Sequence, residues 1–326
     1  MQALIITTPG SADVLSIQDV RRPIPSNSEL LVRVKASGLN RADILQRRGY
    51  YPAPPGVPAN IPGLEYAGVV EEVGQAVTRF SPGDRVMGLV GGGACADYLV
   101  THEDLALPIP AHLDYQNAAA LPEAFITAYD AMVLQGGLKE NGTVAITAAS
   151  SGVGTAAIQI AKELNATTFG STRTREKVNH LEDLGLTHAV CGEAKELSQT
   201  IQDSELDGVD VVLDLVGGPG VNHLIRALRS QGTLVLVGLM GGARADLNLG
   251  ELLAKRATLQ GTVLRSRPNH QKRDLIDKTR SVLLPLFESG VLKPVVHNVF
   301  KLDEARAAHI ALESNEHTGK IVLDHT

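Results

Sequence analysis

The stretch Ile146 to Ile160, ITAASSGVGTAAIQI, decides how this chain folds. A β-branched run (TVAITA, 143–148) enters a turn of small residues and leaves as an Ala-rich amphipathic segment. That is the strand, loop and helix unit that turns backbone amides towards a phosphate. The dinucleotide fingerprint G-x-G-x-x-G would put glycines at 149, 151 and 154, and here stand Ala149, Ser151 and Gly154. Only a positive φ makes glycine obligatory, so Ala149 suits the loop if its dihedrals are ordinary. Ser151 holds the backbone further from a pyrophosphate, but its hydroxyl can reach a phosphate or ribose oxygen. Gly154 lets the helix approach the strand, and the amides of Gly152 and Val153 open the helix facing the anion. The bland alternative is a small-residue turn in an α/β sheet that binds nothing.

Working outward, segments of helical and extended character alternate. The helical EAFITAYDAMVL precedes the strand, and ATTFG (166–170) is the next strand, followed by the helix REKVNHLEDLG (175–185). Then come THAVCG, a helical AKELSQTI, the strand GVDVVLDLVGG (208–218), the helix VNHLIRALRS and the strands GTLVLVGL (232–239) and TLQGTVL (258–264). This alternation predicts a parallel sheet wound on both faces. The portion up to about residue 122 reads differently. Short alternating runs such as ELLVRVKASGL (29–39) and AGVVEEVG (67–74), broken by Gly and Pro, predict antiparallel strands. The proline-rich YPAPPGVPANIP (51–62) is a stiff loop. After Arg265 a helix of about 269–289 leads to the closing strand GKIVLDH. The expected fold is therefore α/β, with a β-rich portion at 1–122 and 265–326 and an inserted nucleotide-type domain at 123–264.

The end of the second strand of that domain selects the dinucleotide. An enzyme using NAD places an acid there to hold the ribose 2′-hydroxyl. Here Gly170 and Ser171 are followed by Arg173, Arg175 and Lys177 in FGSTRTREK, with no acid at the strand end. Missing repulsion and added cations favour a 2′-phosphate, so the cofactor predicted is NADPH, with Lys177 and Arg173 as its contacts.

A net charge of −6 over 326 residues argues against a partner bound by phosphate neutralisation, and so against nucleic acid. No run approaches the roughly 20 apolar residues of a membrane span, and the N-terminal MQALIITTPG lacks a signal peptide's pattern. Two cysteines, Cys95 and Cys191, suggest neither a disulfide framework nor a Cys-rich metal site, and a cytoplasmic protein is expected.

The chain resembles the medium-chain dehydrogenase/reductase superfamily over nearly its whole length, and within it the zinc-independent quinone oxidoreductases related to zeta-crystallin. The matching stretches are GLNRADILQRRGYYPAPPG (38–56), PGLEYAGVVEEVG (62–74), PGDRVMGL (82–89), AAALPEAFITAYDA (118–131), SSGVGTAAIQIAK (150–162), GLMGG (238–242) and GKIVL (319–323). The resemblance implies a GroES-like β-rich catalytic domain and a Rossmann domain, with NADPH in the cleft between them. The positions that hold zinc in the metal-dependent relatives are Asn40, Leu64 and Glu123, and Asn and Leu cannot replace a thiolate and an imidazole. No metal is expected. Without one, the acceptor must itself absorb charge, which a quinone or another conjugated electrophile does.

For the reaction centre the expected residues are Tyr51, Asn40 and Ser151. Tyr51, beside the proline loop, would orient or protonate the acceptor, although Tyr50 competes for that role. Asn40, at a zinc-ligand position, would hydrogen-bond substrate or ribose, or else serve its own turn. Ser151 would serve both NADPH and substrate. Asp43 and Arg41 read as pairing or capping residues. Further cofactor contacts are expected from Thr127 at the nicotinamide end, Val216, Gly238, Leu239 and Met240 at strand ends, and Leu264 and Arg265 after the last strand. Arg267, and more loosely Asn315 and Lys320, are additional candidates. Gly192 departs from relatives that carry an aromatic residue near that point over the 2′-phosphate. The rival readings are an NADPH-dependent alkenal or enoyl reductase and a non-catalytic, crystallin-like NADPH-binding protein. An exposed edge strand in the Rossmann domain would pair in a homodimer.

Overall fold

The computed structural model describes residues 1–326. Two compact units result, Met1–Ile126 with Leu264–Thr326, and Thr127–Val263. The first boundary falls within the helix Pro122–Tyr129 rather than after Pro122. Phe125 explains this, since its ring meets Phe287 edge-on at 5.1 Å within the first unit. The second boundary lies after Val263 rather than after Leu264.

In the first unit β1 (Gln2–Ile6) pairs antiparallel with β2 (Leu15–Asp19). Its main sheet is built from β3 (Glu29–Leu39), β4 (Glu65–Val73), β5 (Arg85–Leu89), β6 (Tyr98–His102) and β7 (Ala106–Pro108). The alternation seen in ELLVRVKASGL becomes alternating burial in the middle of β3, from Val32 to Ala36, and Leu30, Val32, Val34, Tyr66, Val70 and Val86 form one core.

The second unit contributes β8 (Thr143–Ile146), β9 (Thr167–Thr172), β10 (His188–Cys191), β11 (Val209–Asp214), β12 (Leu228–Leu236) and β13 (Thr258–Gly261). All are parallel, in the order β10-β9-β8-β11-β12-β13. The chain winds one way from β8 and the other way from β11, so the switch point lies between these two strands. Loops leaving their carboxyl ends diverge there and leave a crevice, the place where such sheets bind nucleotides.

The chain then returns to the first unit as β14 (Val296–Lys301) and β15 (Lys320–Asp324). The sheet order there is β14-β15-β3-β4-β5-β7, with β6 also on β3.

Four local expectations need correction. The strand after the phosphate loop runs to Thr172 instead of stopping at Gly170, because Ser171 and Thr172 pair with Val190 and Cys191. The helix expected over VNHLIRALRS stops at Ala227, because buried Leu228 already pairs with Val209 and opens β12. The strand expected over 258–264 stops at Gly261. The helix before β8 passes into a π-helical stretch at Asp130–Gln135, where Gln135 Nε2 donates to Asp130 and to Thr262 Oγ1.

Candidate functional site

At the end of β8 the backbone strain sits at Ala148, whose φ is 47°. Ala149 has no positive φ, so the missing first glycine costs nothing at its own position. Its N–H donates to the Ser171 carbonyl at 2.8 Å, tying the loop to β9. Gly154 is required by packing: a Cβ there would lie 2.5 Å from the Ala149 carbonyl oxygen.

Ser151 is the N-cap of the helix Gly152–Glu163, and its Oγ accepts the Gly154 N–H at 3.1 Å. This accounts for a hydroxyl where the fingerprint has glycine. The oxygen closes the helix, while the hydroxyl proton stays available to an anion. The N–H groups of Gly152 and Val153 have no acceptor in the chain and lie at the positive end of a 12-residue helix.

Opposite, across the switch point, Asp214 is fully buried at the end of β11. It accepts Thr147 Oγ1 at 2.9 Å and the N–H groups of Val216 and Gly217. That carboxylate shapes the loop carrying Val216. A Cβ at Gly238 would collide with the Leu215 carbonyl, so Gly238 keeps two strand-end loops in contact. Leu239 and Met240 follow with their side chains exposed. Thr127 Oγ1 is buried without a partner, a donor awaiting an acceptor.

These features fit a dinucleotide: free amides for a pyrophosphate, apolar strand ends for rings and an orphaned hydroxyl. Gly170 and Ser171 do not reach that surface. Gly170 is wedged between Ala149 and Leu186, and Ser171 is buried in β9. The residues beyond the strand end are Arg173, which is exposed, and Lys177 at the close of a short 3-10 turn.

Ser151→Val removes the cap and is expected to cost about 1 kcal/mol of stability. Ser151→Asp keeps a capping oxygen, so its melting temperature should stay near that of the wild type while dinucleotide affinity falls. Calorimetric melting together with fluorescence titration checks both.

In the first unit a cavity of about 730 Å³ is lined by Leu64, Gly91, Glu123, Leu264, Arg265 and Lys272, among others. Beneath it lies a buried ion pair. Lys320 Nζ stands 2.6 Å from Glu65 Oε1 and donates to the Leu39 carbonyl at 2.8 Å and to Asn40 Oδ1 at 2.5 Å. Asn40 Nδ2 donates to Glu65 Oε1 at 2.9 Å and to the Gly38 carbonyl at 3.3 Å. Gly38 is needed there, since a Cβ would collide with Glu65 and the Ala119 carbonyl.

Asn40 therefore does not offer its amide to a substrate. One N–H and one Oδ1 lone pair serve the ion pair, and the other N–H is taken by the Gly38 carbonyl. Asp43 caps the following turn, accepting the Asn40 N–H and the Gly63 N–H at 2.8 Å each. Burial raises its carboxyl to about 6.

Arg265 also departs from expectation. Its guanidinium donates to the Gly91 carbonyl at 2.6 Å, the Tyr51 carbonyl at 3.1 Å and Gln46 Oε1 at 2.6 Å, so it fastens two loops rather than a phosphate. The Tyr51 ring lies over it at 5.1 Å. Burial pushes the Tyr51 phenol up, so it stays protonated. Tyr51 is held in place although it does not itself line the cavity, whereas Tyr50 is 77% exposed and unanchored. Lys320 and Asn315 are likewise engaged, the latter with Arg41. Leu264 and Arg267 line the cavity.

The zinc-ligand positions form no metal site. Leu64 presents only hydrocarbon, Asn40 is turned onto Glu65, and the Lys320 ammonium already supplies the positive charge there.

Residues 26–111 match the family described as alcohol dehydrogenase GroES-like domain, and residues 152–280 the family described as zinc-binding dehydrogenase. Mouse quinone oxidoreductase-like protein 2 is 31% identical over 95% of this chain and 88% of its own. Among solved structures, Escherichia coli quinone oxidoreductase complexed with NADPH superposes with a TM-score of 0.89 at 28% identity, covering 100% of both chains. The CurK enoyl reductase superposes with a TM-score of 0.87 at 26% identity, covering 99% of this chain and 98% of that one.

A Rossmann unit and a GroES-like unit in one chain define a medium-chain dehydrogenase/reductase. The chain belongs to the zinc-independent quinone oxidoreductase family of that superfamily and is an oxidoreductase.

Two features escaped sequence reasoning. The Glu65–Lys320 pair had a weak signal, an acid and a base that each open a strand, but only the pairing of β15 and β4 with β3 brings them together. Asp214 ends an apolar strand in LDLVGG, where it read as an ordinary strand end.

Proposed function

We propose that this chain is an NADPH-dependent reductase that passes hydride to quinones, with the acceptor in the Glu123–Arg265 cavity. One observation carries this reading. The cavity is faced by two cations, Lys272 and Arg265, and Leu64, at a zinc-ligand position, offers it only hydrocarbon. Such a site can stabilise the delocalised phenolate of a reduced quinone without a Lewis acid.

Bound NADPH would supply the hydride. The Gly152 and Val153 amides and the Ser151 hydroxyl would hold the pyrophosphate, Arg173 and Lys177 the 2′-phosphate, and Thr127, Val216, Leu239 and Met240 the remainder. Tyr51, outside the lining but close to Arg265 and within electrostatic reach of Glu123, would orient the acceptor.

The assay is loss of reduced-nicotinamide absorbance with phenanthrenequinone or para-benzoquinone, set against crotonyl thioester and hexenal. Faster turnover of the quinones is expected. Preference for the thioester or the alkenal would make the chain an enoyl reductase, a reading that the likeness to the CurK enzyme favours. Binding of NADPH with no acceptor-dependent oxidation would make it a non-catalytic binder.

The outer edge of β13, with exposed Leu249, Leu253 and Leu259 nearby, supports pairing with a second copy of this chain. Free thiols at Cys95 and Cys191 suit a reducing compartment, the cytoplasm. No helix is long and apolar enough to cross a membrane.

A further inference from the structure

Glu123 is the second residue of the helix Pro122–Tyr129 and lines the cavity of the first unit. Its backbone N–H donates to Glu65 Oε2 at 2.8 Å, which fixes where the side chain begins. Glu65 is fully engaged with Lys320 and Asn40 beneath. The carboxyl of Glu123 itself has no hydrogen bond or ion pair within the chain, and it meets the cavity beside Lys272 and Arg265.

An acid in the first turn of a helix is normally held ionised by the macrodipole. Here the opposing effects win. Burial, then the like charges of Glu65 and Asp43, outweigh Lys320 and Arg265 and raise the carboxyl to about 8. Lys272 and Tyr51 are the other ionisable groups that feel it. At neutral pH the cavity is thus faced by a protonated acid with no partner of its own.

We propose that Glu123 is the proton donor of the reaction, a role that rests on the reductase reading above. A carbonyl oxygen of the acceptor, seated in the cavity, accepts the Glu123 O–H. As the electron pair of the hydride enters the conjugated ring and the nicotinamide is oxidised by two electrons, the carbonyl π pair moves onto that oxygen. The O–H bond of Glu123 breaks and a new O–H bond forms on the reduced acceptor. The Glu123 carboxylate is then reprotonated from solvent, with the Lys272 ammonium, which also lines the cavity, as the relay. One hydride and one proton added to a quinone give the hydroquinone.

Because the acid acts only when protonated, wild-type kcat should be full below about pH 8 and fall as pH rises through it. Glu123→Gln keeps the shape but yields no proton. Its kcat with para-benzoquinone should drop about 10²-fold and lose the alkaline fall. Glu123→Asp should retain the alkaline fall with an intermediate kcat. NADPH affinity by fluorescence should match the wild type in both, which also shows that they fold. Infrared spectra at neutral pH should show a protonated-carboxyl C=O band that Glu123→Gln lacks. An active wild type with Glu123→Gln equal to it in kcat and pH profile overturns the role, as does absence of that band from the wild type. A wild type that binds NADPH but reduces no acceptor overturns the reductase reading and this role with it.

Discussion

Lys320→Met is expected to lower the free energy of unfolding by about 3–5 kcal/mol, the usual cost of stripping one partner from a buried ion pair. Glu65 is completely buried and Lys320 only 5% exposed, so water cannot replace the lost ammonium. Three acceptors lose their donor together: Glu65 Oε1, the Leu39 carbonyl and Asn40 Oδ1. Asn40 and the Glu123 N–H remain on Glu65, but two neutral donors do not balance a buried charge. Adding Glu65→Gln to Lys320→Met should recover part of the loss, because the orphaned charge disappears. Urea denaturation followed through the first unfolding transition measures both variants. A single variant within about 1 kcal/mol of the wild type would show that the pair is hydrated in solution.

The second large effect is on cofactor choice. Replacing Arg173 and Lys177 together by Ala should weaken NADPH binding by about 10²-fold to 10³-fold, as removal of two charge-assisted contacts predicts. NADH has no 2′-phosphate, so its affinity should stay within about threefold of the wild type. The strand end decides this. β9 closes on Thr172, and neither Arg173 nor Thr174 brings the carboxylate that would prefer a ribose hydroxyl. Titrating both dinucleotides at two salt concentrations checks the result, since a phosphate contact must weaken with salt. Equal losses for the two cofactors would place these residues outside the 2′-phosphate site.

Ser151 shows why some sequence signals read well and others only in part. The fingerprint placed a small residue at 151, and the helix start after it followed from local pattern alone. That its oxygen caps Gly154 depends on the φ and ψ of the turn, which a letter string does not carry. Asn40 and Arg265 failed for a different reason. Both residue types suit a ligand, but hydrogen-bonding capacity is limited, and partners distant in sequence had already taken it: Glu65 and Lys320 for one, Gln46 and Gly91 for the other. Glu123 was legible only as the third of the zinc-ligand positions. Its raised carboxyl arises from burial and from Glu65, neither of which sequence spacing reveals.

What the amino-acid order determined by itself is what depends on near neighbours: the alternation that makes strands, the helix after Ser151, and the absence of an acid at the end of β9. Those features were enough to predict a parallel, doubly wound sheet and a phosphate loop, because strand, turn and helix preferences act over a few residues. Only the tertiary structure decided which polar groups remain free. A buried donor or charge must find a partner, and that partner is chosen by how β15, β3 and β4 pair across hundreds of residues. In the ion pair that demand is met inside the fold. At Glu123 no partner is supplied, and an acid is left facing the cavity.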